Sequence, residues 1–421
     1  RGGGDGDLFL GGRRGGAAQL WHWRIWVCRE TGGDFTAAGS FAGKGKTMEQ
    51  NRKPAGMDIV QGELDRCVEI LEKNMERFGT DFPSACATGG KYRMKKNDDW
   101  TNGFWTGMLW IAWLYTGKDK FRSLAMENVN SFIKRLDDHF ILDHHDIGFL
   151  YSLSVGAAWK VTGQEELKKQ ILRAADVLAS RFQEKGGFIQ AWGKLGDEKE
   201  YRLIIDSLLN LPLLYQAHEI SGEQRYLDIA ESHYDKVIHN IVREDYSTYH
   251  TFYFNQETGL PDHGATHQGF SDSSCWARGQ AGAILGMPLH RRLSGKGFTE
   301  EETALYENIC GYFEEHLPAD GLPYWDLIFT DGSDQPRDSS ALAIAACGML
   351  EMGRTERAGE MLAVLHSLAS SAGEPESEGM LLHGVYAYAE GKGVDEPNLW
   401  GDYFYMEALY RLWDPQWNPF W

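Results

Sequence analysis

The chain lacks a cysteine pair at metal or redox spacing, an apolar run long enough to span a bilayer, and the positive charge needed to meet a polyanion. Its six cysteines, at positions 28, 67, 86, 275, 310 and 347 of 421, form no CxxC. They read as reduced, mostly packed thiols of a cytosolic protein. Lys and Arg number 42 against 61 Asp and Glu, a formal charge of −19. A duplex or an anionic membrane is repelled by such a surface, so neither nucleic acid nor membrane is expected as a partner. Ser207, Ser273 and Ser274 lack the Gly-x-Ser-x-Gly elbow, which disfavours a serine hydrolase. His144 and His145 are adjacent rather than helically spaced and find no third ligand at a zinc-like interval, so no metal and no other cofactor is expected. Glycines 279, 282 and 286 follow no strand, as a dinucleotide fingerprint would require, and read as close helix packing.

What is present is enough apolar sequence, 42% against 24% charged, for one large core or two ordinary ones. Residues 1–47 differ from the rest: they hold 13 of the 49 glycines and seven Lys/Arg against four Asp/Glu. With no Met before Met48, they are expected to be a disordered, non-native extension, and 48–421 a single catalytic domain. The apolar stretch Trp21-His22-Trp23-Arg24-Ile25-Trp26-Val27 is too short and too charged to span a membrane.

Five turns share one pattern, an apolar helical stretch ending at Gly117, Gly163, Gly222, Gly295 or Gly353 before an amphipathic stretch begins. Gly at this place stops a helix because it accepts positive φ. Amphipathic helices are predicted near 58–77, 119–137, 165–182, 223–242, 300–315 and 355–369. Alternating with them, helices apolar or small on nearly all sides are predicted near 102–116, 146–161, 206–220, 275–293, 338–352 and 401–413. Six buried and six exposed helices in strict alternation predict an all-α fold, a closed (α/α)6 barrel. Strand signals are confined to 248–254 and 187–190.

Parallel inner helices would bring their N-termini to one face, and the residues there are rich in Trp, His and Asp. Aromatic faces suit sugar C–H faces and carboxylates suit hydroxyls, so the pattern points to a carbohydrate pocket. Asp146, Asp338 and Asp402 stand where N-caps are expected, and capping alone is the plain alternative for each. Asp206 is different. It sits between Leu203-Ile204-Ile205 and Leu208-Leu209, where desolvation raises a carboxyl pKa and the helix-end dipole opposes the rise.

The runs Asp99-Trp100-Thr101-Asn102-Gly103-Phe104-Trp105, Asp143-His144-His145-Asp146-Ile147-Gly148-Phe149, Gln190-Ala191-Trp192-Gly193, Ile204-Ile205-Asp206, Tyr249-His250-Thr251-Phe252, Thr266-His267-Gln268-Gly269 and Trp276-Ala277-Arg278-Gly279-Gln280 resemble the unsaturated glucuronyl hydrolases of glycoside hydrolase family 88. The resemblance runs in order from about residue 57 to 413 and implies the same barrel. It further implies Asp146 and Asp206 as the catalytic carboxylates, with Trp100, His145, Trp192, His250, Gln268 and Arg278 lining the sugar pocket. The implied partner is an oligosaccharide ending in a 4,5-unsaturated uronic acid, as polysaccharide lyases leave on glycosaminoglycans. Asp206 would protonate C4 and then activate water for C5, while Asp146 would keep Asp206 protonated and stabilise the cation.

Two departures accompany the resemblance. Gly282 stands where relatives carry Trp, and 386–392 lacks the Ser-x-x-Ser-x-Lys grouping that some relatives use to hold sulfate, although Lys392 remains. The alternatives are an unsaturated rhamnogalacturonyl hydrolase acting on pectin fragments, an N-acylglucosamine-type epimerase using histidines such as His250, and a non-catalytic saccharide-binding barrel. The chain is expected in the cytoplasm as a monomer or weak homodimer.

Overall fold

Helices whose sequence leaves them no polar face form the inside of this protein. The computed structural model describes residues 56–421. Residues 1–47, expected to be a disordered extension, and 48–55 lie outside the described residues. Among those described, the helices are α1 (Met57–Phe78), α2 (Asn102–Thr116), α3 (Asp119–Asp137), α4 (consecutive pieces Ile147–Tyr151, Ser152–Gly156 and Ala157–Thr162), α5 (Glu166–Ala179), α6 (Pro212–Ser221), α7 (Gln224–Asn240), α8 (Ala277–Leu293), α9 (Glu300–Glu315), α10 (Ser339–Glu351), α11 (Thr355–Leu368) and α12 (Leu399–Trp413).

The even-numbered helices form the inner ring. Each packs on the next, and α12 packs on both α10 and α2, which closes the (α/α)6 barrel. Small residues bring inner helices together: a Cβ at Gly348 of α10 would lie 2.5 Å from the Ile284 carbonyl oxygen of α8. The odd-numbered helices form the outer ring and bury one stripe each; in α5, for example, Leu167, Ile171, Ala174, Ala175 and Leu178 are buried. The five turn glycines all adopt left-handed φ, between 67° and 71°. None of the described helices is long and apolar enough to cross a membrane.

The structure adjusts several expectations. Two inner helices are irregular: α4 contains a π-type stretch at Ser152–Gly156, and the segment expected as a helix from 206 begins as a 3-10 turn, Ile205–Leu209, before α6 starts at Pro212. Pro fits the first helical turn, where its missing N–H is not needed. Gly279 and Gly286 are packed against Trp276 and Leu208, as close helix packing requires, whereas a Cβ at Gly282 would meet nothing within 4 Å.

Strands are more numerous than expected. Four small antiparallel sheets occupy the connections: β1 (Phe82–Thr88) with β2 (Lys91–Lys95); β3 (Phe182–Gln183) with β4 (Phe188–Ile189); β5 (Arg202–Ile204), β6 (Thr251–Phe254) and β7 (Pro261–Ala265); and β8 (Gly384–Ala387) with β9 (Lys392–Glu396). All lie in segments that lead into inner helices, so they build up one end of the barrel.

Candidate active site

At that end lies a pocket of about 290 Å³ lined by Trp100, His145, Asp146, Trp192, Asp206, His250, Gln268 and Arg278, together with His267, Trp276, Tyr386, Ala387, Glu390 and Lys392. The structure thus brings together all eight residues singled out from sequence. His267 and Trp276 lie in the motifs already described, and their positions beside Gln268 and Arg278 were the available signal. Tyr386, Ala387 and Glu390 come from the β8–β9 hairpin, which has only a weak strand signal.

Asp146 occupies the N-cap position of α4 but makes no capping hydrogen bond. Capping therefore does not account for it. Its Oδ1 is 3.4 Å from His145 Nε2, and its Oδ2 is 3.4 Å from His144 Nδ1. Burial works to raise the Asp146 carboxyl, but His145, His144 and Arg181 outweigh that and hold it below the ordinary aspartate value.

Asp206 sits in the 3-10 turn behind β5, with Oδ1 at 3.6 Å from the same His145 nitrogen. Burial, and next the charge of Asp146, push its pKa up to about 8 against the opposing pull of Arg278. His145 is pushed down to about 4, chiefly by burial, and is therefore neutral near pH 7. Its backbone N–H donates to the Ala191 carbonyl at 2.7 Å, which ties the Asp146 loop to the Trp192 loop. Asp146 is ionised and Asp206 protonated, a pairing suited to acid catalysis at neutral pH.

β5 pairs with β6, and the Ile205 N–H donates to the His250 carbonyl at 3.1 Å, so the same register sets His250 beside Asp206. His250 Nδ1 accepts from the backbone N–H groups of His267 (2.8 Å) and Gln268 (3.1 Å). Burial and the neighbouring His267 and Arg278 keep the ring well below the ordinary imidazole value. With Nδ1 serving as acceptor, the neutral ring carries its proton on Nε2.

Arg278 is clamped. Its guanidinium lies 4.3 Å from the Trp276 ring and 4.6 Å from the Trp400 ring, and donates to Gln268 Oε1 (2.7 Å), the Val385 carbonyl (2.6 Å) and the Tyr386 carbonyl (2.9 Å). Trp100 donates through Nε1 to the Tyr386 hydroxyl at 2.8 Å and stacks on Trp400 at 5.3 Å. Arg202 lies 4.7 Å from the Trp192 ring.

The other two candidate caps differ from each other. Asp338 does cap α10, accepting from the Ser340 N–H at 3.1 Å. Asp402 does not cap α12; Asn398 takes that place, accepting from Gly401 N–H, and Asp402 instead accepts from the N–H groups of Met380 and Leu381 and from the Tyr92 hydroxyl. The nearer Asn side chain wins the cap and leaves Asp402 to anchor the loop that leads to β8.

One donor atom each from His145, Asp146 and Asp206 lies within 4.8 Å of the others, a spacing that a cation can use. No sequence interval reveals it, because two residues come from one loop and the third from beyond the next helical hairpin. A cation held there would have to displace the Asp206 proton, and with it the acid.

The sequence pattern of Glycosyl Hydrolase Family 88 matches residues 74–351. The chain belongs to that family. Among its family 88 relatives, the unsaturated chondroitin disaccharide hydrolase of Streptococcus pneumoniae is 47% identical over 85% of this chain and 92% of its own. The unsaturated glucuronyl hydrolase of Bacillus sp. GL1 is 42% identical over 82% of this chain and 94% of its own. The crystal structure of the unsaturated glucuronyl hydrolase from Streptococcus agalactiae superposes with a TM-score of 0.83 at 43% identity, covering 87% of this chain and 94% of that one. This family 88 chain is a glycoside hydrolase of the unsaturated glucuronyl type.

Proposed function

We propose that this enzyme releases 4,5-unsaturated uronic acid from the non-reducing end of lyase-generated glycosaminoglycan oligosaccharides, unsaturated chondroitin disaccharides first among them. The observation that carries the reading is the pair of carboxyls beside one neutral imidazole, one held ionised and one protonated, at a pocket walled by tryptophans. Each relative named above is an unsaturated glucuronyl or chondroitin disaccharide hydrolase, which favours this reading over pectin fragments or epimerisation.

The substrate's C4=C5 bond is an enol ether. Asp206 gives its proton to C4, and the cation left at C5 is shared with the ring oxygen. Asp146, ionised and close by, stabilises that charge. The Asp206 carboxylate then takes a proton from water as the water oxygen bonds to C5, which restores the acid. The C5 hemiketal opens to a ketone, and the hemiacetal left at C1 expels the leaving sugar. One water is consumed in all, and C1 is never attacked directly, so carboxyl separation does not decide stereochemistry here. Trp100 and Trp192 supply ring faces, the His250 Nε2–H and the Gln268 amide bond hydroxyls, and Arg278 favours the uronate carboxylate.

Where some relatives hold sulfate, Ala387 and Glu390 stand in place of hydroxyls, and Glu390 lies 3.7 Å from His267. A sulfated leaving sugar meets a carboxylate there, so unsulfated substrate is preferred. We place the enzyme in the cytoplasm as a monomer or weak homodimer; its five described cysteines are free and buried. The test follows the ultraviolet absorbance of the conjugated double bond in unsulfated and sulfated unsaturated chondroitin disaccharides and in unsaturated rhamnogalacturonan fragments. Loss of absorbance, fastest with the unsulfated chondroitin disaccharide, is expected. Persistent absorbance beside an active relative as control removes the reading.

A further inference from the structure

Just outside the pocket rim, three loops bring together aromatic rings that the reaction does not use. Tyr388, in the turn between β8 and β9, stacks on Trp325 with centroids 4.4 Å apart and planes 16° from parallel. Phe270 stands edge-on to Trp325 at 6.4 Å and to Phe329 at 5.2 Å. Trp325 is buried, yet Tyr388 is 36%, Ile328 50% and Phe270 56% exposed. Scattered exposed apolar residues need no explanation, but a contiguous group beside a binding pocket does.

The group is held in place. The Phe270 N–H donates to Asp326 Oδ2 at 2.8 Å, and the Ser274 hydroxyl donates to the same oxygen at 2.7 Å. It is also continuous with the pocket. Ala387 and Glu390, on either side of Tyr388, line the pocket, as do His267 and Gln268 just before Phe270. His267 Nε2 and Glu390 Oε1, 3.7 Å apart, form the stretch of rim between the two loops. The Glu390 carboxylate, two residues from Tyr388 on the same hairpin, is an acceptor for hydroxyls at this edge.

We propose that Phe270 and Tyr388, backed by Trp325, form a distal saccharide subsite for the third and following rings of a longer unsaturated oligosaccharide. This rests on the function proposed above. If the unsaturated terminal ring sits at Asp206, every further ring leaves through the mouth, and the His267–Glu390 rim opens onto this platform. Exposed aromatic faces bordered by an acceptor suit sugar rings, which present C–H faces and peripheral hydroxyls.

The test compares the unsaturated disaccharide and tetrasaccharide of one unsulfated chondroitin on the wild type, Phe270→Ala and Tyr388→Ala. The expected result is a rise in KM for the tetrasaccharide of about five- to tenfold with disaccharide kinetics unchanged. Equal losses on both substrates, or no loss on either, overturn the subsite. So does a variant that turns a wild-type dimer into a monomer with its tetrasaccharide KM unchanged, which assigns the patch to a second copy of the chain. A wild type that consumes neither substrate overturns the parent function, and the subsite with it.

Discussion

Asp146 and Asp206 meet at one ring: an oxygen of each lies within 3.6 Å of His145 Nε2, although a helical hairpin separates the two residues in sequence. His145, His144 and Arg181 together hold Asp146 below the ordinary aspartate value, whereas at Asp206 burial and the charge of Asp146 outweigh Arg278 and a backbone hydrogen bond. The roles follow from that asymmetry. Asp206→Asn removes the transferable proton and keeps the shape, so kcat is expected to fall by about 10²–10⁴-fold while titration calorimetry still detects disaccharide binding. Asp146→Asn is expected to damage turnover as severely. Near-normal rates in Asp206→Asn would refute the acid/base assignment without touching the family.

The pH profile carries the same asymmetry. With Asp206 pushed up to about 8, kcat/KM is expected to fall on the alkaline side near that pH as the acid is lost. The acid limb lies below the ordinary aspartate range, where Asp146 takes up its proton. In Asp146→Asn one cause of the raised value disappears and burial remains, so the alkaline limb of the residual rate moves part of the way towards acid. An unmoved limb would show that Asp146 does not set the state of Asp206.

Stability shifts with the same group. The folded pKa of Asp206 stands at about 8 against an ordinary 3.8, so its contribution is fully present below the lower value and is lost as pH rises through the higher one. Asp206→Asn cannot ionise. Its Tm is therefore expected to gain on the wild type between those two pH values and to run parallel above them. A constant difference in thermal melts across the range would contradict the raised pKa.

Arg278 is held by shape as much as by charge. Its planar fork reaches two backbone carbonyls and Gln268 while lying between Trp276 and Trp400, geometry that an ammonium does not reproduce. Arg278→Lys is expected to raise KM more than it lowers kcat and to lower Tm, because the Val385 and Tyr386 carbonyls lose their donor. Steady-state kinetics and a thermal melt decide both parts.

The barrel was legible because burial is written in periodicity. α10, with Ala341, Ala343, Ala345 and Ala346 among apolar neighbours, has no polar face and must be inner, whereas α5 shows one buried stripe and must be outer. Site residues at inner-helix starts were legible for the same reason, since helix order sets their common face. The β8–β9 hairpin was not. It is short, its register shifts between Gly384 and Val385, and β9 includes Asp395 at a positive φ, so alternation is broken where a strand would be sought. Tyr386, Glu390 and Lys392 reach the pocket through that hairpin. Asp402 misled because a cap depends on which nearby side chain reaches the free N–H groups, and Asn398 does so first.

The approach of the two aspartates depends on a missing side chain. A Cβ at position 148 would lie 2.4 Å from Asn210 Cα and 2.5 Å from the Asn210 carbonyl oxygen, and backbone cannot swing aside. Asn210 closes the 3-10 turn that holds Asp206, and its Oδ1 accepts from the Phe149 N–H at 2.9 Å, so α4 and this turn are clasped three residues beyond Asp146. Gly148→Ala is expected to cost about 1–3 kcal/mol in denaturant unfolding and to lower kcat by parting the carboxyls. Gly282→Ala, where a Cβ meets nothing within 4 Å, is the control and is expected to be neutral or to stabilise by about 0.5–1 kcal/mol through helix propensity. If Gly148→Ala unfolds earlier but keeps the wild-type kcat and alkaline limb, the clasp serves only the fold; a limb displaced towards acid shows that the same contact sets how closely Asp146 presses on Asp206.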